Sequence, residues 1–452
     1  MRAFSRAARA FAATVLIAGV LLLPACNDLP TDSAMTESSQ VSTSLPPSES
    51  KIRLFELVED RTQANASKAA LLDLPIIIGF SNDEVEAQRV ASRYRVASRY
   101  EYDTVFDGMA GSVSLLELPG ILAEMANDPD IAWVEPDLPL GIIDALVNTT
   151  LGVLDLTTNT LFGLLQTKQV TPWAITNIGA DRSWTRSGNG SGSVNVDVYI
   201  FDTGATHADL NVSECIDFTQ GDVRSCGLIS SLDLNAHGTA VSGAAAAADN
   251  NRGVVGVVPG ARVHALKVLD DNGSAPFSRV IAAIEYLTER KLANPSAPMV
   301  ANVSLGADIE TSYQGSLDRA MSASIATGIT YVVASGNENI DASTVSPAHV
   351  PEAITVGAYN KSGEFSWFSN YGSVVDLLAP GEDVESLTNG NAVNYVSGTS
   401  IAAPFVTGAA ALLLAKHPQM TPAEIRQELV QKSRTGVSGV PDGTTSRRLY
   451  VQ

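Results

Sequence analysis

From residue 170 onward, short apolar runs alternate with longer stretches of small and apolar residues. Val194–Phe201 reads as a buried strand, His237–Ala248 as an Ala-rich helix, Arg262–Leu269 as a strand and Phe277–Arg290 as a helix. Met299–Leu305, Tyr313–Thr327 and Ile329–Ala334 continue as strand, helix and strand. A long helix is expected from Thr399 to about Lys416. A last one opens on Thr421-Pro422-Ala423-Glu424, a capping box with proline at the first helical position. Strands that alternate with helices pair in parallel and are covered on both faces. The expected class is α/β, a doubly wound, mostly parallel sheet with helices on both faces. In such sheets a site lies at the carboxyl ends of the strands.

The segment before this domain has a different pattern. Residues 71–138 read as a small α+β, ferredoxin-like unit in the order strand, helix, strand, helix, strand. Leu74-Pro75-Ile76-Ile77-Ile78 is strand-like, Asp83–Ser98 has helical composition, and Val113–Met125 contains a second helical pattern. The unit closes on Asp130-Ile131-Ala132-Trp133-Val134-Glu135-Pro136-Asp137. Residues 139–169 connect it to the larger domain at 170–452. Within them, Gly141–Leu165 mixes aliphatic residues with Thr, Asn and Gly, a pattern that suits an amphipathic helix or an apolar linker. Residues 27–70 are rich in Ser, Thr, Pro, Glu and Asp, cannot bury a core and read as a flexible tether.

Residues 1–26 read as an export signal. Arg2, Arg6 and Arg9 precede the apolar run Phe11–Leu23, which is short for a permanent span. The run ends in Leu23-Pro24-Ala25-Cys26, which resembles a bacterial lipoprotein box, in which the cysteine is lipidated. The chain is therefore expected to be exported from a bacterial cell, to be secreted or envelope-associated, and to touch a membrane only through that lipid. The chain has three cysteines. With Cys26 lipidated, Cys215 and Cys226 remain as a pair, and an oxidising compartment permits their disulfide. Asp and Glu number 49 against 29 Lys and Arg. This excludes nucleic acid as the main partner, because phosphate binding needs a basic face.

Three blocks carry the candidate chemistry. Asp202 ends the strand Val196–Phe201 and opens Asp202-Thr203-Gly204. Asp-Thr-Gly also marks aspartic proteases, which need two such carboxylates sharing a proton, and this chain has one. His237 starts a helix in His237-Gly238-Thr239-Ala240-Val241-Ser242-Gly243. Ser400 lies in Ser397-Gly398-Thr399-Ser400-Ile401-Ala402-Ala403-Pro404, where a loop enters a helix whose free N–H groups suit an oxyanion. Pro404 is read as first-turn, where its missing donor costs little. As single residues the histidine and the serine could equally be helix caps. The order Asp, His, Ser differs from chymotrypsin-like enzymes and α/β-hydrolases.

Together the blocks closely resemble subtilisin-like serine proteases, and "VLDDNGS" and "FSNYGSVVDLLAPG" resemble the proteinase K branch. The resemblance covers about 170–452, and a propeptide likeness extends it to about 74. It implies a serine endopeptidase acting on proteins through an acyl-enzyme, with Asp202, His237 and Ser400 as triad and no catalytic cofactor. It implies an inhibitory propeptide at 71–138, with a maturation cut between about 138 and 170, and an enzyme that works as a monomer. Ala334-Ser335-Gly336-Asn337 resembles the oxyanion segment, with Asn337 as donor. Gly273-Ser274 and Ser304-Leu305-Gly306 resemble the edges that pair with an extended substrate. Activity should fall below about pH 6–7, where His237 charges. For structural Ca²⁺ the resemblance implies Asp209 and Asn250 side chains with the carbonyls of Ala248, Arg252 and Val254. About two residues are missing between Asp202 and Asp209 relative to the family. Asp376 resembles a second calcium ligand.

Overall fold

The computed structural model describes residues 73–142, 168–190, 194, 196–220, 223–226, 233–309 and 314–451. The segments read above as export signal and tether, with Cys26 and most of the connecting stretch, lie outside the described residues. The larger domain is built on seven parallel strands. In spatial order these are β14 (Leu377–Pro380), β13 (Ile354–Tyr359), β12 (Thr330–Ala334), β10 (Met299–Val303), β6 (Asp197–Asp202), β8 (Arg262–Lys267) and β7 (Asn211–Asp217). Beyond β14, the short strand Arg447–Arg448 adds in parallel and carries Arg434–Thr435 antiparallel to itself, and beyond β7 the short strand Arg224–Ser225 is antiparallel. The disulfide Cys215–Cys226 joins β7 to the residue that follows the short strand beside it.

Side chains alternate across this sheet, as the period of a strand requires. Val198 and Ile200 of β6 join one apolar core, with α3 (His237–Ala246) and α6 (Thr399–Lys416). Tyr199 and Phe201 join the other, with α4 (Phe277–Ala293) and α5 (Ser316–Ala326). Helices therefore cover both faces, as the alternation of elements predicts. α6 is long and apolar enough to cross a membrane, but 83% of that stretch is buried, so it is the central helix of the core.

The preceding unit has the order β1 (Asp73–Phe80), α1 (Ala87–Tyr94), β2 (Ala97–Tyr102), β3 (Gly108–Ser114), α2 (Leu118–Ala126), β4 (Ile131–Pro136). Its antiparallel sheet runs β2-β3-β1-β4. The helix read over Asp83–Ser98 is shorter, because Arg95 takes a left-handed conformation (φ 54°) that ends α1, and Ala97 already starts β2. The second begins later than Val113, which belongs to β3; α2 starts at Leu118 with Pro119 in its first turn. Ile76 and Ile78 pack on the unit's own helices, whereas Ile77 points into the core built around α4 and α5. Burial on both faces explains three successive isoleucines.

The two parts are fastened by polar contacts as well. Glu285 of α4 accepts the N–H groups of Asp103, Thr104 and Val105. Asp137 accepts the N–H (2.8 Å) and hydroxyl (2.6 Å) of Ser278 at the start of α4. Glu135 accepts the N–H of Ser316 (2.7 Å) at the start of α5. Both carboxylates satisfy helix-terminal donors and meet the positive end of a helix dipole.

Candidate active site

Asp202 ends β6 and is fully buried. His237 opens α3, presented by Ala236 in a left-handed conformation (φ 76°). Gly238 lets the helix approach this closely, since a Cβ there would lie 2.0 Å from the Gly204 carbonyl. The imidazole Nδ1 lies 2.7 and 2.9 Å from the two Asp202 oxygens. A carboxylate only accepts, so Nδ1 carries the proton and Nε2 is the basic nitrogen of the neutral ring.

Ser400 is the second residue of α6 and is 2% exposed. Gly398 precedes the helix at φ 154°, ψ 157°, a region open essentially to glycine. A Cβ on Gly398 would lie 2.7 Å from Ser400 Oγ and 3.3 Å from Asn337 Nδ2, so these two atoms face one small space. The Asn337 amide is oriented by its oxygen, which accepts the Thr399 N–H at 2.8 Å.

Pro404 is not a first-turn residue. It is the sixth of α6 and leaves the Ser400 carbonyl without its intrahelical donor. Ser304 Oγ supplies the missing bond at 2.8 Å. Asn302 donates to Ser304 Oγ (2.8 Å) and accepts from Thr407 Oγ1 (2.9 Å), closing a buried chain back to α6. Ser304 thus has a role beside Ser400 that its reading as a cleft edge did not contain.

The two predicted edges lie on either side of one strand. Residues Pro139–Ile142, read in the sequence as the start of the connecting stretch, form β5. This strand is antiparallel to β9 (Ser274–Pro276) on one side and β11 (Leu305–Asp308) on the other. Gly141 sits opposite Ser274 and Gly306, Ile142 opposite Leu305, and the Ile142 N–H reaches the Gly273 carbonyl at 2.9 Å. Leu140 is buried in one core with Ala275, Phe277 and Leu305.

The first calcium set gathers in the loop after α3. Asn250 Nδ2 donates to Asp209 Oδ1 at 2.6 Å. Asp209 Oδ2 is buried with no hydrogen-bond partner among the described residues, and burial pushes the Asp209 carboxyl above its ordinary range. Gln169 reaches the same loop, accepting the Asn250 N–H and donating to Asp249. A buried carboxylate oxygen that no donor meets fits a hard cation. The sequence reading missed Gln169, which lies 81 residues from Asn250 and has no motif of its own.

Asp376 does not fit that role. Arg426 donates to its Oδ1 through Nε (2.9 Å) and Nη2, the Thr355 N–H takes Oδ2, and Arg426 Nη1 reaches the Pro351 carbonyl at 2.6 Å. A guanidinium already balances this carboxylate. A further acidic group, Asp103, Glu285 and Glu289, also makes a poor cation site, because Glu285 is engaged by three backbone N–H groups.

With this geometry in place, the comparisons with known proteins are specific. The model of the subtilase family, peptidase S8, matches residues 193–448. Subtilisin NAT of Bacillus subtilis subsp. natto is 36% identical over 384 residues, covering 83% of this chain and 89% of that protein. An extracellular serine proteinase of Thermus sp. (strain Rt41A) is 32% identical over 425 residues, covering 92% of each. The crystal structure of a cold adapted subtilisin-like serine proteinase superposes with a TM-score of 0.53 at 31% identity, covering 63% of this chain and 99% of that one.

Proposed function

We propose that this chain, which belongs to the subtilase family and is a serine endopeptidase, cuts proteins with Ser400 as nucleophile, His237 as base and Asp202 as the group that orients it. The carrying observation is the pairing of His237 Nδ1 with both Asp202 oxygens, while Ser400 Oγ and Asn337 Nδ2 share the space beside Gly398. Asp202 fixes the tautomer in which Nε2 is basic. His237 then takes the Ser400 proton as Oγ attacks the scissile carbonyl. Asn337 Nδ2 and the backbone N–H at the start of α6 stabilise the oxyanion. His237 returns the proton to the leaving amine, and water clears the acyl-enzyme.

Residues 71–142 act as an inhibitory propeptide, and the chain is a zymogen. β5 supports this reading, since it lies between the cleft edges as a bound substrate backbone would. The maturation cut then falls beyond β5, between Ile142 and about residue 170. The protein is exported and acts as a monomer. Lipid on Cys26 would hold only the propeptide side, so maturation releases the enzyme. Asp209, Asn250 and Gln169, with the carbonyls of Ala248, Arg252 and Val254, would hold calcium, which would supply positive charge in the loop after α3.

The test is Ser400→Ala in the full chain. Hydrolysis and labelling by a serine-directed phosphonylating reagent should vanish, and the precursor should stay uncut. N-terminal sequencing of the mature wild type should begin between residue 143 and about residue 170. Hydrolysis surviving Ser400→Ala overturns the reading.

A further inference from the structure

Behind Asp202 lies a second buried carboxylate that the mechanism above does not use. Asp233 is fully buried, four residues before His237. Its Oδ1 accepts from Thr203 Oγ1 (2.6 Å) and the Ala236 N–H (3.1 Å). Its Oδ2 accepts from the N–H (2.8 Å) and hydroxyl (2.6 Å) of Thr239. It therefore ties the residue after Asp202 to the residues on both sides of His237. The backbone it holds is left-handed at Asp233 (φ 44°) and at Ala236 (φ 76°), a conformation that L-residues keep only when their surroundings enforce it.

The Thr203 hydroxyl carries the more specific consequence. It has one proton and two carboxylates in reach, Asp233 Oδ1 at 2.6 Å and Asp202 Oδ1 at 3.2 Å. The shorter bond takes the proton. Thr203 Oγ1 in turn accepts the Gly238 N–H at 3.0 Å, which fixes its orientation. Asp202 Oδ1 is left with the Thr203 N–H (2.7 Å) and His237 Nδ1 (2.7 Å). Each added donor on a carboxylate weakens it as a partner for the others.

We propose that Asp233 is a positioning residue for the reaction. It locks the turn that presents His237, and it draws the Thr203 hydroxyl proton away from Asp202, so that Asp202 keeps its full strength toward the imidazole. The proposal rests on the assignment of Asp202, His237 and Ser400 given above.

The experiment compares mature wild type with Asp233→Asn at concentrations fixed by phosphonate titration of Ser400. Asparagine tolerates the left-handed backbone but removes the charge and one acceptor. Thr203 is then free to turn its proton to Asp202. The turnover number should fall about tenfold, with KM changed less than about twofold. The acidic limb of kcat/KM should move to lower pH by roughly 0.5 unit, because protonated His237 loses a nearby negative charge and part of its hold on Asp202. Thr203→Val, which leaves Asp233 in place and removes the bridge, should lower kcat at least about threefold, and Thr203→Ser should restore it. This pair decides the matter if Asp233→Asn fails to mature. A wild type that takes no label on Ser400 sinks the triad assignment. A labelled wild type matched by Asp233→Asn in kcat and acidic limb, with only Tm lowered, overturns the role of Asp233. Thr203→Val with wild-type kcat overturns it too.

Discussion

Asn337 illustrates how much one side chain depends on its neighbour's backbone. Its amide oxygen is held by the Thr399 N–H, so the amide nitrogen is the end that meets the space beside Ser400 Oγ. Such a donor is matched to charge that develops only in the transition state. Asn337→Ala should therefore lower kcat about 10²–10³-fold and leave KM within about a factor of three. Steady-state kinetics on a peptide substrate reads both, and a loss confined to KM would contradict the role. At this scale the sequence is legible where a residue carries a motif: Asp202, His237, Ser400 and Asn337 each sit in a block of small residues with recognisable neighbours. Asp233, Asn302 and Thr407 carry no such block. Their work is set by partners brought close only by the folded sheet. Pro404 shows the same limit, since the donor that replaces its missing N–H comes from Ser304, 100 residues earlier in the chain.

Elements were legible from periodicity in the parallel sheet, where each buried strand has apolar residues facing both helical layers. They were less so in residues 73–136, because β1, β2 and β3 face either α1 and α2 or the peptidase core, which blurs alternation. β5 was unreadable as a strand, since its partners are two edges more than 130 residues away. The two cation readings separate at the level of loops. Burial raises the Asp209 carboxyl despite the Asn250 bond and the nearby Arg252, so in metal-free protein its contribution to stability is present below its unfolded pKa and is lost as pH rises through the raised one. A calcium ion bound there would remove that penalty at neutral pH. Chelator should therefore lower the wild-type Tm by several degrees, and Asp209→Asn should abolish the sensitivity. Asp376→Asn weakens the Arg426 pair and should lower Tm equally with and without chelator. Thermal melts of the three proteins at pH 8 are the check, and an undiminished chelator effect in Asp209→Asn would remove this loop as the site.

Three carboxylates at the seam between residues 73–142 and the larger domain act in the same direction. Burial pushes Glu135 up despite the Ser316 bonds and the nearby Arg319, with Asp318 adding to the rise. Burial likewise raises Asp137 against Ser278, Arg99 and Arg279. Glu285 is raised by burial despite its three backbone donors. A pKa that is higher in the complex than in the separated parts means that the complex holds the proton more tightly. The contribution of these groups to association is therefore fully present below the free carboxylate pKa of about 4 and is lost as pH rises through the raised values. If residues 71–142 are the propeptide proposed above, their binding should weaken as pH rises from about 4 toward neutrality. The measurement is the inhibition constant of the 71–142 segment against mature enzyme across that range, normalised to active sites. It should rise with pH. Glu135→Gln with Asp137→Asn should flatten the dependence, because an amide keeps the size and one acceptor but has no proton to lose. An inhibition constant that falls as pH rises would reverse the sign of the coupling, and with it the claim that desolvation outweighs the helix-terminal bonds at this seam.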